Sequence, residues 1–131
     1  MILLDTHVLV WVAYEDSKLS KTAASAIRRA RSSDGIAISD IVIWELAFLF
    51  ARRILRSQST VQNAIERLLS HTGVVIKAID PEIAAIAAQF PEVYPKDPAD
   101  RIIGATALSE GLPLVTRDER IRDSGLLKTI W

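Results

Sequence analysis

The chain has 131 residues, enough for one domain that buries about two thirds of its unfolded surface. It has no cysteine, which excludes disulfides and thiolate metal centres and leaves oxygen ligands or the two histidines for any metal. Sixteen basic and sixteen acidic residues leave no net charge, which excludes the broad positive field of a bulk nucleic-acid binder, so a polyanionic substrate would have to be met locally.

Residues 1–4, MILL, are an apolar run without alternation, the pattern of a strand covered on both faces, and they lead straight into Asp5. Two readings of Asp5 stand side by side. It is a ligand-binding acid in the crevice outside the carboxyl ends of the strands, or it is the N-cap of the next helix, a role open to Thr6 as well. Residues 8–14, VLVWVAY, predict a short buried helix. Ser20 caps a helix over 21–31 with Ala23, Ala24, Ile27 and Ala30 on one stripe and Arg28, Arg29 and Arg31 towards water. After a turn at 32–35, residues 36–39 read as a strand, and Asp40 or Ser39 opens a helix over 41–55. That helix carries Arg52, Arg53 and Arg56 at its end, where they complement the dipole.

Thr60 begins a helix to about residue 70, closed by Gly73, and 74–79 reads as a strand. Asp80 with Pro81 is a helix start for 82–89. Residues 90–98, with three prolines, are irregular. A helix over 99–110 ends at Gly111, a buried strand covers 112–116, a helical turn 119–123, and a last strand 126–131. The order β-α-α-β-α-α-β-α-α-β-α-β implies an α/β fold with a doubly wound parallel sheet of four to five strands and helices on both faces. No repeat, low-complexity tract or linker is visible, so one domain over 1–131 is expected. The first residues lack the pattern of a secretion signal, and no apolar run is long enough to span a bilayer, so the expectation is a soluble cytoplasmic protein.

Several acids do not behave like surface charges. Glu45 is the lone polar side chain among eleven residues, IVIWELAFLFA, and a buried ionised carboxylate must be neutralised, paired or bound to a metal. A place at a solvated helix edge, or beside an arginine, is the alternative. In DPADRIIGATAL, Asp97 before Pro98 is a helix cap and Asp100 suits the same dipole. The spacing of three also lets both carboxylates converge beyond the helix start. Asp118 ends the strand LPLVTR, or simply caps residues 119 onward. A cluster of such acids repels itself unless cations neutralise it, and hard oxygen ligands suit Mg2+ or Mn2+. Two such ions, roughly 3.5–4 Å apart, are the usual clamp for in-line attack on a phosphodiester.

MILLDTHVLVW, IWEL, DPADRIIGATAL and LPLVTRD, in that order, resemble the PIN-domain family, and in particular its VapC-type ribonuclease toxins. The four motifs run from Asp5 to Asp118, nearly the whole chain. The resemblance implies a PIN-like fold, Mg2+- or Mn2+-dependent endoribonuclease activity on an RNA substrate, a homodimer, and inhibition by a small VapB-type antitoxin. It places the family's four acids on Asp5, Glu45, Asp100 and Asp118, as catalytic residues and metal ligands. Asp97 matches an additional acid ranked below Asp100. Thr6 and Thr116 match small hydroxyl positions near the site and are expected to contact the substrate, and Ser39 immediately precedes the glutamate helix. Arg101 and Arg117 flank site acids and either contact RNA phosphate or are solvated or ion-paired arginines. His7 stands where this toxin family often has histidine or asparagine and is expected to hydrogen-bond near the first helix rather than bind metal; His71 is expected in a loop. Trp11, Trp44, Phe48 and Phe50 read as core, or in part as a groove or dimer face. Two other functions remain in view. One is an aspartyl phosphatase, which would want an acid where His7 stands; the other is a silent PIN-like module docking a partner's arginine in the acidic pocket.

Overall fold

Successive side chains of a strand point to opposite faces, so a strand buried at every position must be covered on both. Ile2, Leu3 and Leu4 are all buried. In the computed structural model, which describes residues 1–131, they form β1 (Ile2–Leu4) at the centre of a five-stranded sheet. The others are β2 (Ile36–Ser39), β3 (Val75–Lys77), β4 (Leu114–Val115) and β5 (Thr129–Ile130). Their order is β3-β2-β1-β4-β5, every pair parallel, with Leu3 opposite both Ala37 and Leu114.

Seven helices connect them: α1 (Thr6–Tyr14), α2 (Lys21–Arg31), α3 (Ile41–Ala51), α4 (Val61–Thr72), α5 (Pro81–Ala88), α6 (Pro98–Glu110) and α7 (Glu119–Asp123). The element order is the one the sequence implies, plus a 3-10 turn at Asp16–Lys18 that it does not signal. The caps are those read from side-chain chemistry. Ser20, Thr60 and Asp80 accept from backbone N–H groups three residues on, and Gly73 and Gly111 close α4 and α6 at φ 67° and 66°.

The last three strands are shorter than expected, 75–77 against 74–79, 114–115 against 112–116 and 129–130 against 126–131, and three further details differ. The third helix stops at Ala51, not 55, because the chain turns through Arg53 at φ 57° and the N–H groups of Ile54 and Leu55 both return to the Leu49 carbonyl. His71 lies in the last turn of α4 rather than a loop. Neither α1 nor α3 is buried all round. In α3 only Val42, Leu46 and Phe50 are buried, while Trp44 is 57% and Phe48 41% exposed. Composition reported how apolar α3 is, but not that one of its apolar stripes faces out.

The core runs across the sheet through Leu3, Leu4, Ile38, Leu46, Ile103 and Leu114, none of them exposed. Each such side chain contributes about 1.5–3 kcal/mol by leaving water. A smaller cluster of Ile83, Ala87 and Ala105 joins α5 to α6.

Candidate active site

In an open parallel sheet, ligands bind at the carboxyl ends of the strands, where the chain's connections part to either side. Here that point lies at β1, which has β2 on one flank and β4 on the other. Asp5 directly follows β1 and is 4% exposed. It is an N-cap, its Oδ1 accepting from the Thr6 N–H at 2.9 Å. Its Oδ2 accepts from Thr116 Oγ1, just past β4, at 2.7 Å. Asp5 is thus a cap through one oxygen and is tied to the end of β4 through the other.

Thr116 is fully buried, and its hydroxyl oxygen accepts from the Asp118 N–H at 3.1 Å while its proton goes to Asp5. It cannot also reach substrate, so it is a positioning residue joining two acids. Thr6 plays the same part on the other side, its hydroxyl donating to Glu45 Oε1. In this structure both threonine hydroxyls hold carboxylates.

Asp5, Glu45 and Asp100 line one cavity of about 400 Å³, with Thr6, Trp44 and Phe48 on its wall and rim. Three separate elements thus bring three of the expected acids to one place. A larger hollow of about 530 Å³ between Glu66, Arg67 and His71 lies along α4 alone and gathers no such set. Size does not locate the chemistry here.

The electrostatics carry the mark of unneutralised charge. Burial, then repulsion from Asp5, Asp97, Glu45 and Asp118, pushes the Asp100 carboxyl up to about 7. Burial also raises Glu45, against the hydrogen bond from Thr6 and with the help of Asp5 and Asp97. Asp118 goes the other way. Burial lifts it, but hydrogen bonds and charge from Arg120 outweigh that and hold it below the usual carboxylate range. Its Oδ2 meets the Arg120 guanidinium at 3.2 Å and its Oδ1 caps α7. Asp118 therefore stands at the edge of the site, within electrostatic reach of Asp100 but outside the lining of the cavity. No three acids or histidines are gathered closely enough to hold a metal ion in this arrangement.

Asp97 is the N-cap of α6 and accepts from the Asp100 N–H at 3.2 Å, which is why the two carboxylates lie near each other. Arg101 is turned inward, its Nε and Nη1 donating to the carbonyls of Pro95 and Phe90, both at 3.0 Å. It pins the proline-rich loop rather than offering these donors to phosphate. Arg117 is exposed. His7 receives the Arg117 N–H on Nε2 at 3.2 Å, which leaves the ring proton on Nδ1, 3.6 Å from Asp5 Oδ2. It hydrogen-bonds beside α1, as expected.

Tyr94 has no counterpart among the residues singled out from sequence. It is 1% exposed and its hydroxyl donates to the Asp100 carbonyl at 2.9 Å, with burial and then the Asp100 charge raising its pKa. Its ring fits only because position 104 is glycine: a Cβ there would lie 2.3 Å from the tyrosine oxygen. A glycine within a helix costs about 1 kcal/mol relative to alanine, so IIGATA was itself a signal of close packing.

Comparison with known proteins agrees with this geometry. The family model described as the PIN domain matches residues 2–125. The chain is 39% identical over 121 residues to Ribonuclease VapC22 of Mycobacterium tuberculosis (strain ATCC 25618 / H37Rv), covering 92% of this chain and 89% of that one. Among solved structures it superposes on VapBC2 from Rickettsia felis bound to a promoter DNA fragment, with TM-score 0.69 and 18% identity over 98% of this chain and 97% of that one. It also superposes on VapBC-1 from nontypeable Haemophilus influenzae, with TM-score 0.68 and 22% identity over 98% and 96%. At these identities the structural likeness is one of fold.

Proposed function

This chain belongs to the PIN-domain family, and on that premise we propose that it is a metal-dependent endoribonuclease, the toxin of a type II toxin–antitoxin pair. One observation carries the proposal: Asp5, Glu45 and Asp100, forty to ninety-five positions apart, share a single cavity at the carboxyl edge of the sheet. The 39% identical relative is itself a ribonuclease. The domain takes in residues 1–131, its substrate is RNA, and it works in the cytoplasm as a homodimer restrained by a VapB-type antitoxin. No helix is long and apolar enough to cross a membrane.

The donor set suits Mg2+ or Mn2+. It consists of carboxylate oxygens, with no cysteine anywhere in the chain, and burial and then the neighbouring acids raise Asp100. Asp5, Asp100, Glu45 and Asp118 would hold the metal, with Asp97 in a lesser part. The Thr6 hydroxyl on Glu45 and the Arg120 guanidinium on Asp118 occupy oxygens that a cation would have to share. When bound, such a cation supplies an activated water and neutralises the charge that builds up on the leaving oxygen.

The chain's own residues prepare that chemistry. Thr116 and the Thr6 N–H fix both Asp5 oxygens, so this acid cannot rotate. The Tyr94 hydroxyl holds the Asp100 backbone at the first turn of α6. Without a cation, burial and then the neighbouring acids hold the Asp100 carboxyl up at about 7, and a bound cation would favour its ionised form. Purified protein incubated with total cellular RNA, with and without EDTA, tests the reading: metal-dependent internal cuts are expected, and cleavage that survives EDTA refutes it.

A further inference from the structure

Beside the acidic cavity lies a second cleft with opposite character. Its volume is about 340 Å³ and its lining includes Trp11, Trp131, Lys18 and Arg117. The size falls within the range of about 300–1,000 Å³ typical of small-ligand sites. The two indole rings lie 5.8 Å apart and tilted by 50°, so they present separate faces instead of covering each other. Arg117 Cζ stands 5.9 Å from the Trp11 ring centre and Lys18 Nζ 6.0 Å. These distances are at the outer limit, about 6 Å, of a cation–π attraction, so neither cation is tightly committed to the ring. Lys18 also pairs with Glu15 at 3.2 Å, and Arg117 has no carboxylate partner.

This cleft is joined to the acids by a single side chain. His7 faces Asp5 through Nδ1, receives the Arg117 N–H on Nε2, and meets Trp11 edge-on at 5.0 Å. The molecule has no net charge, so RNA has to be met by local contacts, and aromatic faces flanked by cations are how proteins hold single strands without reading sequence.

We propose that Trp11 and Trp131, with Arg117, form a subsite that stacks an unpaired base of RNA next to the scissile phosphate. The proposal rests on the nuclease reading and adds to it the residues that hold the substrate outside the acids. Trp11 and Trp131 supply the stacking faces and Arg117 meets the adjoining phosphate, while His7 separates this subsite from the acids.

The test measures binding of a fluorescein-labelled ten-nucleotide single-stranded RNA in EDTA, then its cleavage with Mn2+ present, using Trp11→Ala, Trp11→Phe and Arg117→Gln alongside the unaltered chain. The far-ultraviolet circular dichroism of each serves as the folding control. Trp11→Ala should weaken single-strand binding by roughly 5- to 100-fold and raise KM more than it lowers kcat, and Trp11→Phe should recover most of the loss. Binding of the same sequence as a duplex should not respond to Trp11→Ala. Arg117→Gln should lower the salt dependence of binding by about one unit. Unchanged single-strand binding in Trp11→Ala overturns the proposal, as does an equal loss for the duplex. So does a Trp11→Ala chain that binds RNA normally but no longer captures a partner protein. Unaltered chain that binds RNA but never cuts it would refute the nuclease reading and leave this test intact.

Discussion

Thr116 Oγ1 donates to Asp5 Oδ2 at 2.7 Å across 111 positions of sequence, inside a site where neither residue is more than 4% exposed. The same oxygen accepts the Asp118 N–H, so one hydroxyl ties the end of β1, the end of β4 and the start of α7. Thr116→Val, which keeps shape and removes both bonds, should destabilise the protein by about 1–3 kcal/mol, the cost of buried polar groups left unpaired. RNA cleavage should fall at least about tenfold. Urea unfolding and initial rates check this, and Thr116→Ser should restore most of both.

Asp100 is the charge the metal-free fold tolerates least. Its folded pKa, about 7, lies above the ordinary 3.8, so between those values the folded state binds the extra proton. Stability contributed by this group is therefore present at low pH and lost as pH rises through 7. Asp100→Asn should abolish cleavage yet raise the Tm of metal-free protein at pH 8 by on the order of 5 °C, with no gain at pH 4. Thermal melts at the two pH values decide it, and equal gains at both would disconnect the effect from ionisation.

A proton and a divalent ion compete for that same carboxylate. Affinity for Mn2+ should drop by up to about tenfold for each pH unit below 7 and level off above it. Isothermal titration between pH 5.5 and 8 provides the measurement.

Gly104→Ala puts a methyl group against the Tyr94 hydroxyl and should cost about 1–3 kcal/mol through overpacking. Because that hydroxyl also holds the Asp100 carbonyl, activity should fall further than stability alone explains. Tyr94→Phe should relieve part of the strain from Gly104→Ala without restoring the rate. Chemical unfolding and initial rates of both single variants and the double variant test it.

Much of this was legible in the sequence, for particular reasons. Covered strands read as unbroken apolar runs, and MILL, IAIS and PLV named three of the five. Caps announced themselves by side chain at Ser20, Thr60, Asp80 and Asp97. Glu45 was legible because it broke a local pattern, and Asp5, Asp100 and Asp118 only through their places at strand ends and a helix start. Local chemistry could not show which apolar stripe of α3 faces out, since Trp44 and Val42 are equally apolar and only packing distinguishes them. Nor could it show the inward turn of Arg101, which depends on carbonyls at Phe90 and Pro95 exposed by a loop with no periodicity. Thr6 and Thr116 were visible as neighbours of the site, but their hydroxyls' partners, 39 and 111 positions away, were not.

The central claim is that acids from separate segments act as one divalent-cation site. Mn2+ titration by calorimetry, on the unaltered chain and on Asp5→Asn, Glu45→Gln and Asp100→Asn, tests it most directly. Each substitution should weaken Mn2+ binding at least about tenfold, in line with the loss of a ligand or of its immediate support. Glu45→Gln binding Mn2+ as tightly as the unaltered chain would contradict the account.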